Sequence, residues 1–261
     1  MLGQFDTPWT DEVVAGTRSA AARHGLDLVL TAEREDPGDD WPVRIRDRGS
    51  AGVVLGLIRP TSSQLAILST AEVPVVLLDP RADPIRRISS VGCTDWQGGY
   101  DAGQHLVRSG VASFAVVVGR PRYRFGRARA EGFIAAIADN AAGAPVRELE
   151  GRWPPGEAPR LALDELQRLK RPIGVFAMTD EMARGVYRAA RQLGLVIPAD
   201  VRVVGFDDLP MSRSMVPPLT TVRQPIRAMA AQAVELVRAA ALDEPARRIE
   251  LATELIVRAS T

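Results

Sequence analysis

Short, continuously apolar runs rich in Val, Ile and Leu recur along the chain: Leu26–Leu30, Gly52–Leu57, Val73–Leu78, Phe114–Val118, Ile173–Ala177 and Val201–Phe206. Each has the length of a strand, and continuous rather than alternating hydrophobicity marks parallel strands covered on both faces. Helical patterns separate them. Thr10 is placed to cap a helix that carries Val13, Val14, Thr17 and Ala21 on one face and stops at Gly25. Asp95 to Arg108 reads as a second helix closed by Gly110, and Arg127 to Ala138 as a third with Phe133, Ile134 and Ile137 apolar. Thr179 or Asp180 caps a fourth that ends at Gly194. Gln224-Pro225 opens a fifth, running through Met229, Val234 and Leu236 to about Leu242, with proline suited to a first helical turn.

Alternating strand and helix predicts an α/β protein with doubly wound, mainly parallel sheets. The units are too many for one small sheet, so two lobes are expected. Ser89–Asp95 (SSVGCTD) and Thr220–Pro225 (TTVRQP) are short extended segments flanked by small or turn residues, and read as crossings between lobes. Arg152–Pro159 (RWPPGEAP) is the most loop-like stretch.

Composition narrows the function. With 33 basic and 32 acidic side chains the net charge is +1, which argues against a surface built to grip nucleic acid or an anionic membrane. A single cysteine, Cys93, excludes an intrachain disulfide and the Cys-rich zinc sites, and His24 and His105 lie too far apart for a local metal motif. No run approaches a membrane span, and no signal peptide is expected. Lys170 is the lone lysine, a bias best read as codon usage.

In open parallel sheets, ligands bind beyond the carboxyl ends of the strands. That rule nominates Asp6 with Thr7 and Trp9, Gly56, Asp79, the Arg122–Arg129 stretch, Thr179 with Asp180, and Asp207 with Asp208. Carboxylates accept from hydroxyls, arginines donate to them, and tryptophan stacks on an apolar ring face, so this set suits a polyhydroxylated small molecule. Each also has a plainer reading. A strand-end Asp serves as a cap or turn residue, and Asp180 fits that description better than a ligand contact. The arginine run fits a solvated loop, Trp153 a packed loop, His105 a helix-surface or core position, and Cys93 an inert thiol. No phosphate loop, GxSxG elbow or dinucleotide fingerprint is found, and no cofactor is expected; Gly98, Gly99 and Gly103 read as close helix packing. A binder is favoured over a catalyst, with His105 the first candidate if an enzyme.

VVGFDD (Val203–Asp208), PPLTTVRQP (Pro217–Pro225) and Met229 closely resemble the effector-binding region of the LacI/GalR family of bacterial transcription regulators. GGYDAGQHLVRSG (Gly98–Gly110), RAEGF (Arg129–Phe133), FAMTDEMARG (Phe176–Gly185), GLVIPADVRVV (Gly194–Val204) and LIVRAS (Leu255–Ser260) follow in the family's order. The resemblance implies a periplasmic-binding-protein-like fold of two lobes joined by three crossings, with residues 1–92 and 226–250 in one lobe and 93–225 and 251–261 in the other. It implies that Asp207 and Arg129 hydrogen-bond an effector in the interlobe cleft. It adds Asp79 as a further polar wall residue, Trp153 as an aromatic against the ligand, and Thr7, Trp9 and Asp6 in the first βα loop. Thr179 stands where members often carry Asn, a shorter hydroxyl in place of an amide. The implied partners are a sugar or nucleoside effector, a second copy of the chain, and operator DNA through an N-terminal helix-turn-helix domain expected to be absent here. The implied location is the cytoplasm, away from any membrane. A transport-type periplasmic sugar-binding protein would share the fold and remains the alternative.

Overall fold

A computed structural model describes residues 1–2, 7–33, 40–119, 123–152, 160–161 and 166–261. The chain divides into two compact units, Met1–Cys93 with Pro225–Leu251, and Thr94–Gln224 with Ala252–Thr261. Each is an α/β unit with its own sheet.

Among the described residues, the first unit has a four-stranded, all-parallel sheet ordered β1 (Val53–Gly56), β2 (Val75–Leu78), β3 (Ser89–Cys93) and β10 (Arg248–Leu251). Helix α1 (Pro8–Arg23) is capped one turn earlier than the sequence suggested. Thr7 is the N-cap, accepting from Thr10 N–H at 3.2 Å, while Thr10 Oγ1 accepts from Thr7 N–H at 3.3 Å. Pro8 takes the first helical position and Gly25, at φ 66°, the left-handed stop. Helices α2 (Trp41–Asp47) and α3 (Ser62–Thr70) were not predicted; Trp41, Ile45 and Leu68 pack with Val53, Leu55 and Leu77 in the core.

One predicted strand is corrected. Leu26–Leu30 lies outside every described ladder, and Val29 and Leu30 are half exposed or more. Among the described residues, pairing on this side of β1 is confined to Leu2, which bridges Ala32 and Gly56 in parallel. The segment instead lines a cavity of about 470 Å³ together with Val13, Val53 and Val237. Apolar composition supplied a strand pattern, but a strand also needs a hydrogen-bonding partner.

The second unit carries, among the described residues, a seven-stranded sheet ordered β11-β9-β8-β7-β4-β5-β6. These are β11 (Glu254–Ile256), β9 (Thr220–Arg223), β8 (Val201–Asp207), β7 (Ile173–Ala177), β4 (Ser113–Val118), β5 (Val146–Arg152) and β6 (Arg160–Leu161). The inner pairs are parallel, and β11 and β6 are antiparallel edges. The expected crossings are therefore themselves strands, since Ser89–Cys93 is β3 and Thr220–Arg223 is β9. Their Ser and Thr side chains disguise them. Ser89, Ser90, Thr220 and Thr221 are buried and fit because neighbours satisfy their polar groups, as where Ser89 Oγ accepts from Arg247 N–H and Ser260 Oγ accepts from Thr220 N–H at 2.7 Å.

Helices α4 (Asp95–Arg108) and α5 (Arg124–Asn140) pack backbone to backbone on this sheet. A Cβ on Gly99 would lie 2.0 Å from the Arg129 carbonyl oxygen, and one on Gly132 2.0 Å from that of Trp96. Both glycines act by lacking a side chain, in the manner expected of the glycine cluster. Phe133 of α5 stacks on Phe176 of β7 at 5.2 Å between centroids. Gly99→Ala is expected to force the helices apart and destabilise the unit by about 1–3 kcal/mol, read as a lowered urea midpoint. Gly92→Ala, where the added Cβ meets nothing within 4 Å, is the control expected to show no comparable loss.

Candidate functional site

Strand β8 ends in two consecutive residues with positive φ, Asp207 at 107° and Asp208 at 56°. Non-glycine residues hold such geometry only where surrounding contacts over-determine it. Asp208, its side chain 1% exposed, accepts from Arg223 Nε at 2.9 Å, from Ser212 Oγ at 3.1 Å and from Arg258. Burial opposes its charge, but the hydrogen bonds from Arg258 and Arg223 outweigh it and hold the carboxyl below its ordinary value. One residue on, Leu209 N–H donates to Asp180 Oδ2 at 2.8 Å, and Thr221 Oγ1 donates to Asp180 Oδ1 at 2.6 Å. The turn is thus tied down immediately after Asp207, at Asp208 and Leu209.

Arg129 comes up from α5 beneath this turn, 3% exposed. Its Nε donates to Asp95 Oδ1 at 2.8 Å, and one terminal nitrogen donates to the Met178 carbonyl at 2.8 Å and reaches Asp207 Oδ1 at 3.5 Å. The guanidinium carbon sits 3.6 Å from the centroid of the Phe206 ring and 5.3 Å from that of Phe125. Asp207 and Arg129, nominated separately, therefore meet at the carboxyl end of the second sheet. Asp95 completes the cluster. It lies two residues beyond β3, so the strand-end rule would have found it had SSVGC been read as a strand rather than a connector.

The other nominated residues lie elsewhere. Thr179 adjoins Met178, but its Oγ1 accepts from Met182 N–H at 3.1 Å and caps α6 (Asp180–Gln192). Of the two residues offered as the cap, Thr179 takes the position, and Asp180 is a buried first-turn residue. In the first unit, Asp79 ends β2, is buried, and has φ 48°, with its N–H donating to the Val91 carbonyl. Thr7 caps α1, and Trp9 is buried in the first turn of that helix. Asp6, Trp153 and Arg122 fall outside the described residues.

An acceptor carboxylate beside a donor guanidinium, walled by aromatic rings, is suited to hydroxyl groups. His105, the fallback catalyst, bonds Thr261 Oγ1 at 2.8 Å, and burial together with Arg108 and Arg202 keeps its imidazole below the ordinary pKa. Cys93 is buried. Among the described residues no group of three or more His, Cys, Asp or Glu is arranged to hold a metal ion, and no helix is long and apolar enough to cross a membrane.

Comparison with known proteins supplies the context. A profile described as periplasmic binding protein-like domain matches residues 104–261. A transcriptional regulator of the HTH type from Streptomyces limosus, itself uncharacterised, is 35% identical over 259 residues, covering 93% of this chain and 72% of the relative. The chain belongs to the LacI family of transcriptional regulators. The repressor PurR of Aliivibrio fischeri is 28% identical over 269 residues, covering 100% of this LacI-family chain and 79% of the repressor. A LacI family regulator from Enterococcus faecium, solved with ribose bound, superposes with a TM-score of 0.87 at 22% identity, covering 100% of this chain and 97% of that one, and so supports the fold. These relatives are regulators rather than enzymes, and the LacI-family domain here is of the effector-binding, periplasmic-binding-protein-like type.

Asp180 supplies a pH test of the site's foundations. Burial pushes its carboxyl up from 3.8 to about 7, against the hydrogen bonds from Thr221 and Leu209. Between those values the folded unit holds a proton that the unfolded chain has released, so this group's stabilising contribution is whole at low pH and drains away as pH rises toward 7. The urea midpoint of the wild type is expected to fall relative to that of Asp180→Asn between about pH 4 and about pH 7. A constant difference across that range would show Asp180 ionised throughout.

Proposed function

We propose that this domain is the sensor of a bacterial transcription regulator and binds a small polyhydroxylated effector, a sugar or nucleoside. The observation that carries the reading is the buried Asp207 carboxylate 3.5 Å from the Arg129 guanidinium at the carboxyl end of the second sheet. Family resemblance adds Asp79, Trp153, Thr7 and Trp9 as further effector residues, the strand-end rule adds Asp6, and Thr179 adjoins Met178 of the Arg129 cluster. Likeness to regulators solved with ribose and with cellobiose bound supports a carbohydrate in particular.

Sensing requires the effector to bind one conformation better than another, and coupling of about 1–3 kcal/mol is the usual scale. In the regulator the output is operator binding through a helix-turn-helix domain, acting as a homodimer in the cytoplasm. Val216, 89% exposed just before Pro217, is a candidate for the copy-to-copy surface, since Tyr187 Oη donates to the Pro217 carbonyl at 2.9 Å and ties that loop to α6. A strict monomer on a calibrated sizing column, with Val216→Glu unchanged from wild type, favours the transport-type alternative.

Thermal-shift screening against ribose, other pentoses and hexoses, cellobiose and nucleosides tests the effector class, since a ligand at 100 times its Kd stabilises by about 2.7 kcal/mol. Asp207→Ala is expected to weaken a hit roughly 10- to 100-fold, the scale of a lost hydrogen bond to a charged group. Wild-type affinity in Asp207→Ala, or no hit in the panel, rejects the reading. Arg129→Ala is not an equivalent experiment. It strands two buried carboxylates and is expected to cost about 3–5 kcal/mol of folding stability.

A further inference from the structure

We propose that Asp95 is the positioning residue of the effector site, holding the Arg129 guanidinium in one orientation and biasing the site toward uncharged sugars over their phosphate esters. The proposal rests on the assignment of Asp207 and Arg129 as effector residues. The Phe206 ring, 3.6 Å from the guanidinium carbon, covers one face of the group but does not set which nitrogen points where. The 2.8 Å bond from Nε to Asp95 removes that freedom and directs a terminal nitrogen to the Met178 carbonyl and Asp207. The donor and acceptor are mounted on α5 and α4, whose backbones touch at Gly99 and Gly132, so the geometry is set by helices that cannot slide past each other.

Charge supplies the second half of the argument. One guanidinium faces two carboxylates, Asp95 and Asp207, at ion-pair distance and nearly out of water, a formal sum of −1. With Nε engaged by Asp95, Arg129 cannot present its Nε edge to a phosphate as a two-point clamp. A phosphate ester would bring further negative charge against two carboxylates in a medium that screens poorly, whereas a hydroxyl can donate to Asp207 and accept from Arg129. A purely structural ion pair would make a different forecast, in which its loss lowers the melting temperature and leaves ligand preference alone.

The test uses the whole chain as wild type, Asp95→Asn, Asp95→Glu and Asp95→Ala. Calorimetry is run with matched pairs, D-ribose with D-ribose 5-phosphate and D-glucose with D-glucose 6-phosphate, alongside nuclear magnetic resonance of the Arg129 Nε–H. The wild type is expected to prefer the neutral member of a pair at least tenfold and to show a slowly exchanging Nε–H. Asp95→Asn, nearly isosteric, is expected to shrink the preference severalfold or more. Asp95→Ala is expected to speed Nε–H exchange at least tenfold, and Asp95→Glu to restore part of both properties. Wild type that binds the ester as tightly as the sugar, Asp95→Asn with an unchanged preference, or Asp95→Ala with unchanged exchange each overturns the proposal. If the wild type binds no member of either pair, the sugar reading itself loses support, while the exchange rates still decide whether Asp95 positions Arg129.

Discussion

A guanidinium withdrawn from water has to be met by acceptors on the protein, and the second unit is arranged around that requirement at Arg129. Charge comes from Asp95 and Asp207, a dipole from the Met178 carbonyl, and polarisable faces from Phe206 and Phe125. These groups come from four stretches of chain far apart in sequence, so the ion cluster exists only once β7, β8, α4 and α5 are in register. Losing any one charged member leaves the rest in a poorly solvating interior, where an unpaired ion is far more costly than the pair is favourable.

The turn that follows β8 carries its own set of paired carboxylates. Asp208 and Asp180 are carboxylates in the same neighbourhood with opposite tendencies. Asp208 is kept ionised by arginines, whereas Asp180 is driven toward its neutral form by burial. Together they anchor Asp208 and Leu209, the two residues after Asp207, and so hold a turn that an unsupported aspartate would avoid. The far end of the chain joins this support. Ser260 Oγ donates to the Val203 carbonyl, and Arg258 reaches both Asp208 and the Leu219 carbonyl. Asp207 thus rests on a polar network of Asp208, Asp180, Arg223, Arg258 and Ser212.

Continuous apolar runs were a faithful guide where strands are buried on both faces. Ile173–Ala177 matches β7 end to end, and Asp95–Arg108 matches α4. The reading faltered where burial and side-chain polarity part company. SSVGC and TTVR are interior strands whose hydroxyls are satisfied by distant partners, information that no local window contains. Leu26–Leu30 erred the other way, with strand-like composition and no described ladder. At the candidate site, the meeting of Asp207 with Arg129 was legible because strand ends and family resemblance converged on both. Asp95 was not, because its role depends on β3 being a strand and on α4 and α5 touching at glycines. The capping of α1 by Thr7, one turn ahead of Thr10, shows the limit of a local signal when two threonines cap each other.

The first unit is discontinuous in sequence. Its sheet gains β10, and α1 gains its backbone contact at Arg227, only from residues beyond Gln224. A ribosome therefore delivers the whole continuous body of the second unit before the first can close. During that interval the nascent β3 edge and the α1 face that meets Arg227 have no native cover, and unpaired strand edges of this kind make incomplete folds prone to aggregate. Neither unit is complete until its return segment emerges: the first closes with Arg248–Leu251, and the second, which needs β11, Arg258 and Ser260, closes last.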